Sequence, residues 1–189
     1  MRTVSSNINL YGNVCNSTLL QFDASDKQQW KILWDSWNNL RVGLKNYYSR
    51  GPNLSEGLSE SAFCLYSNSL KIIDIQGGCD SSADTYNLQT MEAEQIKATS
   101  IESDLTSFGP TSKWDKLYFL DFYNNGNLNG SFDCYQIDTH LIYNTVVNQG
   151  KNETFVDQQN QGRRPRLSLK KIILDNNIAP IDTNIQVWL

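Results

Sequence analysis

Histidine, cysteine and long apolar runs are scarce in this 189-residue chain, and each scarcity removes a class of function. The one histidine, His140, would have to carry any Ser-His-Asp or Cys-His mechanism, and no nucleophile-elbow signature surrounds it. Four cysteines, Cys15, Cys64, Cys79 and Cys134, include no Cys-x-x-Cys pair and no histidine partner, so zinc is not expected and all four read as buried free thiols. No stretch approaches the roughly 18 uncharged apolar residues of a spanning helix. Residues 1–7 lack the apolar core of a secretory signal, so a cytoplasmic protein is expected. The glycines at 77, 78, 126 and 130 make neither a Walker nor a dinucleotide fingerprint.

What is present fits one globular domain: 39% apolar residues is too many for a wholly disordered chain. The net charge of −4 argues against a general polyanion binder, but its distribution is uneven. Residues 158–174 hold Arg163, Arg164, Arg166, Lys170 and Lys171 and no acid. An acidic body with one basic segment predicts local contact with phosphate.

Residues 1–24 are polar and mixed. From Asp26 onward Trp30, Leu33, Trp34, Trp37, Leu40 and Leu44 recur at helical spacing, giving an aromatic face that is either core or a subunit contact. Arg50-Gly51-Pro52 breaks that helix, and Ser55–Tyr66 reads as a second one. Extended segments are expected at 69–76, 83–87, 94–100, 116–123 and 131–137, with further helices at 140–147 and 168–176. The order gives an α/β or α+β fold with a mixed central sheet of about five strands flanked by helices.

The chemistry concentrates in Gly77-Gly78-Cys79-Asp80-Ser81-Ser82-Ala83-Asp84 and, beyond it, Glu94-Gln95-Ile96-Lys97. Side chains alternate along a strand, so Gln95 and Lys97 share a face while Ile96 takes the apolar side. Asp84 on a neighbouring strand can reach the face of Lys97. Oxygen ligands and an ammonium so placed suit a magnesium ion and a water set against a phosphodiester; a structural ion pair of Asp84 and Lys97 on a sheet edge is the lesser reading. Downstream, Gly162-Arg163-Arg164-Pro165-Arg166 fixes arginines around a proline, and arginine pairs bidentately with guanine or clamps phosphate. A solvated basic turn is the other reading. Ser168 is placed to cap the helix after it, whose amides would add to phosphate binding.

The strand-hairpin-strand setting resembles the PD-(D/E)xK nuclease core of small type II restriction endonucleases over about Leu54 to Leu174. The resemblance implies that Asp84 is the first-position aspartate, Lys97 the lysine, and Glu60, or Glu56, the acid of the preceding helix. Gln95 stands where an Asp or Glu is usual; its amide can ligate through oxygen but brings no charge. Asp84, Gln95 and Glu60 would then hold Mg2+, with Lys97 assisting the water, and Arg163, Arg164, Arg166, Lys170 and Lys171 would contact double-stranded DNA. On this reading residues 1–189 form one nuclease domain: a helical 1–50 that is the first candidate for a homodimer contact, a catalytic core at 54–137, and a DNA-contacting 138–189. The resemblance also implies a cognate DNA methyltransferase. A modification-dependent or repair nuclease, an RNA-directed protein, and a non-cleaving DNA-binding protein are the rivals.

Overall fold

The computed structural model describes residues 1–49, 51–77, 79 and 82–189; Arg50, Gly78, Asp80 and Ser81, which the sequence reading cites, lie outside the described residues. In chain order the elements are β1 (Arg2–Leu10), β2 (Asn13–Gln21), α1 (Asp26–Lys45), α2 (Glu56–Ser67), β3 (Leu70–Ile75), β4 (Thr85–Asn87), β5 (Glu92–Thr99), β6 (Thr106–Ser107) and β7 (Lys116–Asp121). There follow β8 (Phe132–Ile137), α3 (Thr139–Asn144), β9 (Val146–Asn148), β10 (Glu153–Thr154), α4 (Phe155–Asn160), β11 (Arg166–Leu167), α5 (Leu169–Asp175) and β12 (Asp182–Ile185).

Strand β7 is apolar on both faces because both are covered. Leu117 and Phe119 pack with residues of α3, α4 and α5, while Tyr118 and Leu120 pack with Trp30, Trp34 and Phe63 of α1 and α2. A strand buried on both sides is expected to read as a continuous apolar run. The sheet runs β1-β2-β3-β4-β5-β7-β8-β12. Its one parallel pair is β5 with β7; the others are antiparallel.

The expected mixed α+β fold is present, but the sheet has eight strands, not five. The five expected strands are its contiguous centre, and the additions lie at its edges. Residues 2–21, read as polar and mixed within a helical 1–50, instead form a hairpin through Tyr11 and Gly12, both at positive φ, as a two-residue hairpin turn requires. One face of that hairpin is turned to solvent, so its apolar signal is carried by alternate residues only, Ile8, Leu10, Cys15 and Leu19. The helix expected over 140–147 stops at Asn144, where Val146 and Val147, β-branched, enter β9. Among the cysteines, Cys64 and Cys134 are buried free thiols as expected, whereas Cys15 and Cys79 form a disulfide.

The aromatic face of α1 turns inward. Trp34 is fully buried and stacks on Phe122 at 4.9 Å and on Trp30 at 5.5 Å. The three indole N–H groups donate to main-chain carbonyls, Trp30 to Leu58 at 2.9 Å, Trp34 to Leu128 at 3.4 Å and Trp37 to Asn53 at 3.0 Å. Burial and a satisfied polar tip together fix the helix against α2 and the loop after β7. Trp34→Ala should therefore cost about 3–5 kcal/mol, read as a lowered urea midpoint with an unchanged transition slope. A loss under about 1 kcal/mol would show that this cluster does not anchor α1.

Candidate active site

Asp84 stands just before β4, where its backbone already pairs on both sides: its N–H donates to Glu94 O and its carbonyl accepts from Ile72 N. The side chain then crosses to β5. Asp84 Oδ2 accepts the Ile96 N–H at 2.8 Å and a hydrogen bond from the Gln95 amide. Alternation on β5 is as expected. Ile96 packs into the α1–α2 core, whereas Lys97 lies 5.4 Å over the ring of Phe108, on the α3–α5 side.

A cleft of about 880 Å³ opens at this point, lined among others by Glu60, Asp84, Lys97, Asp104, Arg41 and Lys45. Glu60 is buried on α2 and bound to Lys71 Nζ of β3 at 2.6 Å; Glu56, one turn earlier, is exposed on the same cleft. Burial raises the Glu60 pKa, and the hydrogen bond and charge of Lys71 pull against it. Asp84 is half-buried, and its carboxyl is pushed up to about 7. Removal from water is the largest cause, Lys97 opposes it, and the charges of Glu60 and Glu56 add to it. The structure therefore brings Glu60, Asp84 and Lys97 into one electrostatic unit. Gln95 is 2% exposed and serves as a donor to Asp84. Glu94 faces the other way, as alternation requires, buried with the Thr85 hydroxyl donating to it at 2.7 Å.

Among the described residues no group of three or more His, Cys, Asp or Glu side chains gathers as a metal cage. What the cleft offers is two carboxylates whose ionised forms are disfavoured by burial and by neighbouring acids. An all-oxygen, open, electron-rich pair fits a hard divalent ion that keeps most of its waters.

The basic segment lies beside this cleft. Arg166 and Leu167 of β11 pair with Ser107 and Thr106 of β6, and those two line it. Arg164 and Arg166 are exposed. Arg163 binds Glu153 at 3.0 Å, Lys171 binds Asp175 at 2.7 Å, and Lys170 reaches Asp121 at 2.9 Å and the Ile101 carbonyl at 3.0 Å. Ser168 caps α5 as expected, but the amides after it are occupied: Asp104 accepts from Leu169 N at 2.8 Å and Lys170 N at 3.1 Å. Sequence reasoning missed Lys71, Asp104, Arg41 and Lys45. Only the last two left a signal, an acid-free run at 36–55.

A family model described as Bsp6I restriction endonuclease matches residues 22–176. The Type II restriction enzyme Bsp6I of Bacillus sp. (strain RFL6) is 35% identical over 156 residues, which cover 77% of this chain and 79% of that enzyme. No solved structure matches.

The raised Asp84 carboxyl has a thermodynamic consequence. Its folded-state pKa of about 7 lies above the ordinary 3.8, so the folded chain binds this proton more tightly than the unfolded one. Ionisation then penalises folding: nothing below the ordinary value, increasingly through about 7, and constantly above. Asp84→Asn should nearly match the parent in urea stability near pH 4 and exceed it by about 4 kcal/mol at pH 8. Equal stability of the two at both pH values would show that the carboxylate is not confined as described.

Proposed function

The chain belongs to the Bsp6I restriction endonuclease family and is a sequence-specific DNA endonuclease, and from that membership we propose that it cuts in the cleft between α2 and β5, with Asp84 and Glu60 holding magnesium and Lys97 attending the water. The observation that carries this reading is the convergence of two desolvated carboxylates and one ammonium at the edge of strands β4 and β5.

Magnesium, when bound, supplies Lewis acidity toward a phosphoryl oxygen and makes a water more acidic. The chain's own groups do the rest. The Ile96 N–H and the Gln95 amide hold Asp84 Oδ2 against β5, so the carboxylate is fixed in place before loading. Lys71 opposes the effect of burial and favours the ionised form of Glu60. Lys97 places its ammonium where charge develops on the attacked phosphodiester and can hydrogen-bond the incoming water. Gln95, which contributes no charge, serves as a donor to Asp84 and leaves a direct ligand role to the two acids. The amide in place of a carboxylate also lowers the repulsion that already raises Asp84.

Several finer features belong to the same proposal. The exposed Arg164 and Arg166 contact DNA; Arg163 and Lys171 do so by exchanging their present carboxylate partners for phosphate, and Lys170 does so from the place it holds beside Asp121. The catalytic core is residues 54–137, and 138–189 faces DNA. Cutting both strands of a symmetric site with one such cleft per chain calls for a two-fold homodimer. With its tryptophans in the core, α1 retains only Leu33, Leu40 and scattered apolar neighbours for that contact. No described helix is long and apolar enough to cross a membrane, in keeping with a protein that meets DNA in the cytoplasm, where a methyltransferase would protect the host's own sites.

Plasmid incubated with the protein and magnesium should give discrete fragments, and EDTA should stop their formation. Lys97→Ala should slow cutting by at least about a hundredfold while leaving duplex binding in EDTA intact. Fragments at the parent's rate from that variant would remove Lys97 from the reaction.

A further inference from the structure

Two stretches of this acidic chain carry cations and no acid: residues 158–174, and residues 36–55 with Arg41, Lys45 and Arg50. Both reach the same cleft. Arg41 and Lys45, on the last turns of α1, line it directly, and β11 reaches it through its pairing with β6. Their charges differ in availability. Arg163, Lys170 and Lys171 are each ion-paired, whereas Arg41 and Lys45 form no ion pair among the described residues.

Arg41 is nonetheless held in place, among the described residues only by neutral groups. Its guanidinium lies 5.8 Å from the Trp37 ring, and its Nε and Nη2 donate to Asn38 Oδ1 at 3.2 and 3.1 Å. Gly51 passes so close that a β-carbon there would overlap Arg41 Cγ, so the loop after α1 is pressed onto this side chain. An arginine ordered by an aromatic ring, an amide and backbone keeps its full charge, and part of the entropy of ordering it is already spent in folding. Lys45 follows one turn later on the same face, about 6 Å along the axis, a step that suits neighbouring phosphates of one strand.

We propose that Arg41 and Lys45 form a sequence-independent seat for backbone phosphates of the DNA strand entering the cleft, separate from the exposed arginines of the C-terminal segment. This rests on the reading of the cleft as the place of cutting. The seat would hold the duplex over Asp84 and Lys97, leaving Arg164 and Arg166 free to read bases.

The test is fluorescence anisotropy of the full chain in EDTA with a mixed-sequence DNA duplex of roughly 30 base pairs over a salt series, where each lost phosphate contact lowers the slope of log K against log salt by about 0.9. The double variant Arg41→Gln, Lys45→Gln should lower that slope by about 2 and weaken low-salt binding about tenfold or more. Because Arg41 also packs on Trp37, the exposed Lys45→Gln alone is read alongside; it should lower the slope by about 1, and Lys45→Arg should restore it. An unchanged slope in Lys45→Gln, or a Lys45→Arg that fails to restore it, overturns the seat. Asp84→Asn, run in parallel, separates the two readings. Loss of cutting there with a slope no smaller than the parent's upholds the catalytic cleft, so an unchanged slope in the α1 variants then defeats the seat alone. Cutting that survives Asp84→Asn defeats the assignment of the catalytic acid on which the seat rests.

Discussion

The Ile96 N–H to Asp84 Oδ2 hydrogen bond, 2.8 Å long, joins the two halves of the site and depends on the sheet around it. Strand β5 gives Ile96's side chain to the α1–α2 core and its amide to Asp84, while Gln95 and Lys97 are left for the other side. A backbone donor cannot be displaced without moving the strand, and β5 is paired along its whole length, with β4 over residues 92–94 and with β7 over 94–99. The carboxylate is thus fixed by the fold rather than by a flexible partner. That fixity carries an energetic cost, since Asp84 is held partly out of water beside Glu60 and Glu56 with Lys97 as the opposing charge. Sites that must gather like charges commonly show raised carboxyl pKa values of this kind.

The legible part of this architecture was the part with strong period or strong punctuation. Helix α1 is announced by tryptophans at helical steps, β7 by an uninterrupted apolar run, and the pairing of β7 with β8 by the Asn/Gly-rich link at 124–130. Asp84, Gln95 and Lys97 could be grouped because strand alternation is a rigid rule. The β1–β2 hairpin escaped because Asn and Ser fill its exposed alternate positions; its one usable clue was the Tyr11-Gly12 turn. The Cys15–Cys79 disulfide joins residues 64 apart in the chain, and spacing in sequence does not fix which cysteines meet. The partner of Glu60 was equally hidden, because Lys71 becomes its neighbour only when β3 packs beside α2.

Charge illustrates the same limit from another direction. Counting cations in 158–174 gave five candidates for DNA, yet the fold gives three of them carboxylate partners and leaves Arg164 and Arg166 exposed. Counting could not show this, since Glu153, Asp121 and Asp175 lie at different distances along the chain. Ion pairs with a carboxylate on the same surface are weak, so exchange for phosphate is affordable for the exposed Lys171–Asp175 pair. Lys170 is different. Its side chain is largely covered, touches Asp121 and the Ile101 carbonyl and lies 4.8 Å over the Tyr123 ring, so releasing it would strip several partners at once.

Those Lys170 contacts form part of a longer tie between the cleft and the basic segment. Asp104, in the loop that leaves β5, accepts the Ser168 hydroxyl at 2.7 Å, the Leu169 and Lys170 amides, and the Thr106 hydroxyl at 3.1 Å. Immediately beyond it β6 pairs with β11, the strand of Arg166. The chain that carries Lys97 is therefore bonded, within a few residues of its end, to the chain that carries the exposed arginines. A buried carboxylate with four donors is costly to break, because each would lose a charge-assisted partner. Positioning in catalysis is sensitive to shifts of about an ångström, and here the arginine segment is hydrogen-bonded to the loop that leaves β5 rather than carried on a free linker. The same connection that makes the site rigid thereby ties the position of the arginine segment to that of β5 and Lys97.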